Sequence, residues 1–301
     1  MAQASIPVDL LNPGQVFACL GFLEAADVLL GDAEGSFDWA EESNVRFHLR
    51  ARGEKDPVSR VLGFLESARV ESIAPCGSKN DTEKWNVPTE RLEPDSAFPC
   101  PDPDSPATMP AKLVSTKEGI SLVIDHWCEE GTRTRRDAVK FWAGAGGYPG
   151  AAIVRDALDL VRGKCADVTS SPFALAAPQS SNLRLDWRRD YIPIDAGFSL
   201  NRHSKMTAVG FPLVEVLAAL GLTNARPMKV HRLEYRYQVL GQIDGQSHSV
   251  GSPMYSASLL RAGLGCAELP FPRRVFRMGL GWPGQEGQAR AITIVNEERH
   301  R

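Results

Sequence analysis

Apolar positions fall along this chain in short runs with clear punctuation. Ile6 to Leu10 reads as a short strand leading into a helix. Asn12 stands at the N-cap of that helix, Pro13 at its first position and Gln15 at capping-box spacing. Val16, Phe17, Leu20, Leu23 and Leu30 then recur at near-helical spacing and predict one buried stripe, which Gly31 is placed to end. Val45 to Ala51 alternates as a strand. A second helix starts at Asp56-Pro57, with Val58, Val61, Leu62 and Leu65 on its apolar face.

Further along, Ile120 to Trp127 reads as a buried strand and Pro149 to Val161 as a helix stopped by Gly163. Leu183 to Trp187 alternates as a strand, and Pro212 to Leu220 forms a short helix closed by Gly221. The clearest strand is His231 to Val239: Leu233, Tyr235, Tyr237 and Val239 face one way, and Arg232, Glu234, Arg236 and Gln238 the other. Val275 to Leu280 and Ala291 to Val295 add two more strands. Helices and strands mix without a strict βαβ rhythm, so the expected class is α+β, with mixed or antiparallel sheets flanked by helices. Prolines at 75, 88, 94, 99, 101, 103, 106 and 110 deny regular pairing to the stretch between them, which reads as a long loop. The expected organisation is an α/β segment at 1–74, a Pro-rich loop or linker at 75–112 and a main α+β region at 113–301. The first and last of these are either separate or one domain.

Composition narrows the function classes. At 301 residues, 43 % hydrophobic and 24 % charged, the chain is able to bury a core without disulfides or metal. A net charge of −3 excludes a polycation, so nucleic-acid binding must come from local patches or be shared with partner subunits. Six cysteines stand far apart with no C-x-x-C pair, which argues against a zinc ribbon or a disulfide framework and for reduced thiols. Met1 to Asp9 has no signal-peptide pattern. The apolar stretch Val16 to Leu30 is interrupted by Glu24 and Asp27 and reads as too short and too polar for a membrane span. The expected compartment is the cytoplasm, with no membrane, no metal and no cofactor.

The most distinctive chemistry lies between Ser181 and Lys205. Arg184, Trp187, Arg188, Arg189 and Tyr191, with Arg202 and Lys205 after them, interleave guanidinium and aromatic groups. Guanidinium pairs with phosphate, and aromatic faces stack on unpaired bases. Asp186, Asp190 and Asp195 offer the competing account, a structural ion-pair network. A second basic cluster is Arg133, Arg135, Arg136 and Lys140, with Arg155, Arg162 and Lys164 beyond it on a helix. The Gly-rich run 143–150 between them lacks a P-loop ending and matches no G-x-G-x-x-G pattern. Arg273, Arg274 and Arg277 form a third basic stretch, explained by default as charges protecting a sheet edge. No catalytic constellation is visible. Asp125-His126 beside Cys128 and Glu129 lacks metal-ligand spacing, and adjacent residues of a strand point to opposite faces.

Three stretches carry a resemblance that residue types alone do not reveal. Val8 to Asp27, with its Asn-Pro-Gly-Gln helix start, resembles the opening of the large-subunit-like proteins of type I-U (I-G) CRISPR systems. Ser180 to Ser199 is similar to the central motif of that family, and Phe211 to Gly221 is similar to the segment that follows. About half the chain is covered; the Pro-rich segment and the C-terminus match loosely. The resemblance implies a non-catalytic subunit of a Cascade-type complex, with guide RNA or target DNA and the other effector subunits as partners. Guide pairing would select sequence while protein contacts backbone and shape. It shifts the weighing toward nucleic-acid contact at Arg184, Arg188 and Arg189. The competing functions are a hydrolase or nuclease built on Asp125 and His126, and a scaffold whose partners are all proteins.

Overall fold

A computed structural model describes residues 1–73, 82–89, 111–115, 117–124, 148–179, 181–189, 208–231, 233–242, 253–281 and 291–298. In chain order the elements are β1 (Ala2–Pro7), α1 (Pro13–Leu30), β2 (Glu34–Asp38), β3 (Arg46–Ala51), α2 (Pro57–Ser67) and β4 (Arg69–Ser72). Then come β5 (Ala111–Val114), β6 (Ser121–Ile124), α3 (Gly150–Val161), β7 (Ala177–Pro178), β8 (Val209–Gly210) and α4 (Pro212–Asn224). β9 (Met228–His231), β10 (Glu234–Gln242), β11 (Tyr255–Ser256), α5 (Ala257–Leu264), β12 (Arg273–Gly281) and β13 (Ala291–Glu298) complete the series. The class is α+β.

The main sheet runs β1-β3-β2-β10-β12-β13, with β11 beside β2 and β9 beside β10. Its pairings are antiparallel except where Gly241 and Gln242 of β10 meet Phe37 and Asp38 of β2 in parallel. That short contact joins strands from the two ends of the chain, so segment 1–74 and the C-terminal strands share one sheet. A smaller antiparallel sheet holds β4-β5-β6. The clearest strand of the sequence is split: β9 ends at His231, β10 begins at Glu234 and the two pair as antiparallel neighbours, with Tyr235, Tyr237 and Val239 buried as their alternation requires.

α1 departs from the one-stripe expectation, because its residues from Pro13 to Ala26 are buried on every side. By length and composition it passes for a membrane span, yet most of it lies inside the protein. The packing explains why. On one side Phe17 meets Tyr237 edge-on, with ring centres 6.0 Å apart, and Tyr237 stacks on Phe276 of β12 at 5.1 Å. On the other side α1 crosses α4 at two glycines. A Cβ on Gly21 would lie 1.9 Å from the Leu217 carbonyl oxygen, and one on Gly221 would lie 2.2 Å from that of Phe17. Backbones approach this closely only where side chains are absent. Gly221, expected to close the helix, is therefore an interior crossing point, and α4 runs on to Asn224. A helix enclosed by sheet and helix needs apolar residues all round.

Several punctuation signals act as expected. Gly31 ends α1 at φ 85°, its N–H reaching the Asp27 carbonyl at 2.9 Å. Asp56 caps α2 by accepting from the Ser59 N–H at 2.6 Å. The start of α1 differs. Asn12 makes no capping bond, and Gln15 Oε1 accepts from the Asp9 N–H at 2.8 Å in place of closing a capping box.

Candidate nucleic-acid interface

Leu183 and Leu185 are buried and Asp186 is fully buried, as an inward-facing strand would be, but Ser181 to Asp186 pairs with no described strand. Arg184 takes φ 60°, in the left-handed region, which breaks the extended run. The ladder is replaced by a carboxylate. Glu215, buried in the first turn of α4, accepts the Leu185 N–H at 3.1 Å and the Asp186 N–H at 2.9 Å. Buried amides need a partner, and a glutamate at a helix N-terminus is itself favoured there. Asp186 in turn accepts from Asn12 Nδ2 at 3.1 Å and from the Arg188 N–H at 3.0 Å. A Cβ on Gly14 would lie 2.4 Å from the Leu185 carbonyl oxygen, so the segment lies directly on the start of α1.

Arg188 closes this polar knot. Its Nε donates to Asp186 Oδ1 at 2.9 Å and its Nη2 to the Phe173 carbonyl at 2.9 Å. The guanidinium carbon lies 3.4 Å from the centre of the Phe211 ring. The geometry is that of the competing account in the sequence, an aspartate–arginine network with an aromatic face completing it.

The other candidates are dispersed. Trp187 is half-buried against the core in a 3₁₀ turn, Trp187–Arg189. The side chain of Arg189 lies outside the described residues, as do Tyr191, Arg202, Lys205, Arg133, Arg135 and Arg136, and also Asp125 and His126. Arg155 and Arg162 bind inward: Arg155 Nη1 to the Trp85 carbonyl at 2.5 Å, Arg162 Nη2 to the Ala68 carbonyl at 2.8 Å. The third basic stretch requires correction. β12 lies between β10 and β13, so its arginines guard no edge. Two of them answer glutamates of neighbouring strands, Arg274 with Glu297 at 2.6 Å and Arg277 with Glu298 at 2.7 Å and Glu234 at 2.9 Å, while Arg273 donates to the Leu269 carbonyl at 2.6 Å. Hydrogen bonding to Glu297 holds the Arg274 guanidinium above its usual range.

The described cysteines Cys19, Cys165 and Cys266 are free thiols. Burial pushes all three up, Cys165 to about 11 with help from Glu66, which disfavours the nucleophilic thiolate. Among the described residues no group of three or more His, Cys, Asp or Glu is placed to hold a metal. Sequence reasoning missed Glu215. Its one signal was a carboxylate three residues past a Pro-initiated helix start, inside an otherwise apolar run.

Two of the basic stretches do converge. A cleft of about 500 Å³ opens where β1 gives way to α1, beside the turn between β2 and β3. Arg188 and Arg274 stand in its wall, Val8, Leu10 and Phe173 supply buried apolar surface, and Asp9 and Glu42 lie on the same lining. Comparison of the chain with family models, curated proteins and solved structures finds no match.

Proposed function

We propose that this chain is a cytoplasmic, non-catalytic subunit of a type I-U CRISPR interference complex that contributes to guide RNA or target DNA binding. One observation supports this reading above the rest. The three segments that resemble the family, though far apart in sequence, interlock through Asn12, Leu185, Asp186 and Glu215. Segments shared by a family because they build one structural unit are expected to meet in this way. Contact with nucleic acid belongs to Arg184, Arg189, Arg202 and Lys205 in this proposal, with Trp187 and Tyr191 as stacking groups and Arg133, Arg135 and Arg136 as a further basic patch. Arg188 is a positioning residue here, since its charge is answered by Asp186.

The test is co-purification of the tagged chain with its neighbouring gene products, followed by sequencing of bound RNA. Recovery of a complex carrying processed repeat-derived RNA is the expected result, and a lone RNA-free monomer overturns the reading. Within such a complex, Arg184→Ala with Arg189→Ala lowers affinity and flattens its salt dependence. A scaffold with protein partners alone is the second reading, favoured by the internal pairing of Arg188 and Arg274. In that case the complex forms, and the double substitution leaves RNA retention and its salt response unchanged.

A further inference from the structure

The cleft between the start of α1 and the β2–β3 turn has a character opposite to that of its arginines. We propose that it is a docking site for an extended segment of a partner protein in which apolar and basic side chains alternate. The inference does not rest on the RNA-binding reading, since it holds equally for a scaffold.

Charge is the first argument. Arg188 and Arg274 line the cleft, but Asp186 and Glu297 hold them, and Asp9 and Glu42 stand on the same lining. Among the described residues of the lining and their ion-pair partners, two guanidinium groups thus meet four carboxylates. From these described groups a phosphate entering here meets net negative charge, whereas a lysine or arginine side chain is attracted. Glu42 touches Arg274 at 3.7 Å while its own side chain is 85 % exposed, so its carboxylate is accessible to a second cation.

Donor geometry is the second. Each arginine is gripped side-on through Nε and Nη2, Arg188 by Asp186 and Arg274 by Glu297. Each Nη1 makes no hydrogen bond to a described residue. Guanidinium groups fixed this way are oriented donors for neutral carbonyl oxygens, which recur along an extended backbone. Shape is the third. A volume of about 500 Å³ lies in the range of ligand clefts. Leu11, on the lining, is 44 % exposed and would gain burial from an apolar neighbour.

The experiment uses the full chain, fluorescently labelled, on two peptide arrays. One alternates Leu, Ile, Val or Phe with Lys or Arg; the other replaces the basic positions by Asp or Glu. Retention concentrated on the basic array is expected. Glu42→Lys, at an exposed position away from the polar knot, weakens it about fivefold or more, and Leu11→Asp weakens it as well. Retention on neither array, equal retention on both, or insensitivity to Glu42→Lys overturns the proposal. So does displacement of bound peptide by a labelled oligothymidylate, which would make the cleft a phosphate site. Loss of RNA co-purification with peptide binding intact would remove the effector-subunit reading and leave this one standing.

Discussion

Arg188 sits among aromatic residues in the sequence, the setting of a guanidinium that stacks on bases, and in the structure its guanidinium carbon lies 3.4 Å from the centre of the Phe211 ring with its fork on Asp186. Asp186 is fully buried, so the pair cannot be opened without leaving a charge inside. Arg188→Ala is expected to destabilise the protein by about 3 kcal/mol, because the orphaned carboxylate dominates the loss. Arg188→Lys restores little, since an ammonium does not reproduce a two-pronged contact. Urea denaturation measures both, and a loss below about 1 kcal/mol for the alanine variant would contradict this account. A second residue-scale expectation concerns Tyr148. Burial, with a 2.5 Å hydrogen bond to Asp156, pushes its hydroxyl up to about 12. The neutral form is favoured in the folded state, so the tyrosine's contribution is complete below about pH 10 and lost as pH rises through about 12. Alkaline titration of the folded protein by absorbance locates that ionisation, and Tyr148→Phe removes it.

At the scale of elements, partners rather than propensities account for the departures from expectation. α1 and α4 cross at Gly21 and Gly221, where carbonyl oxygens occupy the space a methyl group would need. Gly21→Ala forces the two helices apart and is expected to cost about 2 kcal/mol or more, despite alanine's better helix propensity. A lower thermal midpoint with helical content retained is the signature to look for, and an unchanged midpoint would refute the close crossing. In the sheet, Arg236 of β10 stands opposite Arg277 of β12, a like-charged pair. Glu298 of β13 answers both. Burial raises the Glu298 carboxyl and hydrogen bonds from Arg277 and Arg236 outweigh it, leaving the group below its usual range. Leu183 to Trp187 had the alternation of a strand and found a glutamate instead of a neighbour. Alternation reports which side chains are buried, not which group satisfies the backbone.

For the whole molecule, the decisive contact is the parallel pairing of β2 with β10, reinforced by α1 lying between the sheet and α4. Neither end of the chain has a complete sheet or a covered helix without the other. Urea unfolding followed by tryptophan fluorescence and by far-ultraviolet circular dichroism is therefore expected to give one coincident transition, and residues 1–74 expressed alone are expected not to fold. Two separated transitions would show that the segments on either side of the Pro-rich stretch are independent domains. The cleft belongs to this scale too, since its lining comes from β1, α1, the β2–β3 turn, the Ser171–Ala174 region, the Trp187–Arg189 turn and β12.

Sequence periodicity was enough for the class, for most of the helices and for about half of the described strands, while β2, β4, β5 and α5 went unmarked; the stop at Gly31 and the start at Asp56 were legible because cap chemistry acts within a few residues. It also marked the segments Val8–Asp27, Ser180–Ser199 and Phe211–Gly221 as distinctive. Tertiary structure alone decided what those segments do to one another. Asn12 and Asp186 are 174 positions apart, and Glu215 answers amides 29 and 30 positions earlier. No local pattern encodes such pairings, so the same arginine reads as a ligand for phosphate or as half of a buried ion pair until its neighbours are in place. The charge of the cleft was hidden in part for the same reason: Asp186 stands two residues from Arg188 and is visible locally, whereas the carboxylates that answer Arg274 come from β13 and from the β2–β3 turn.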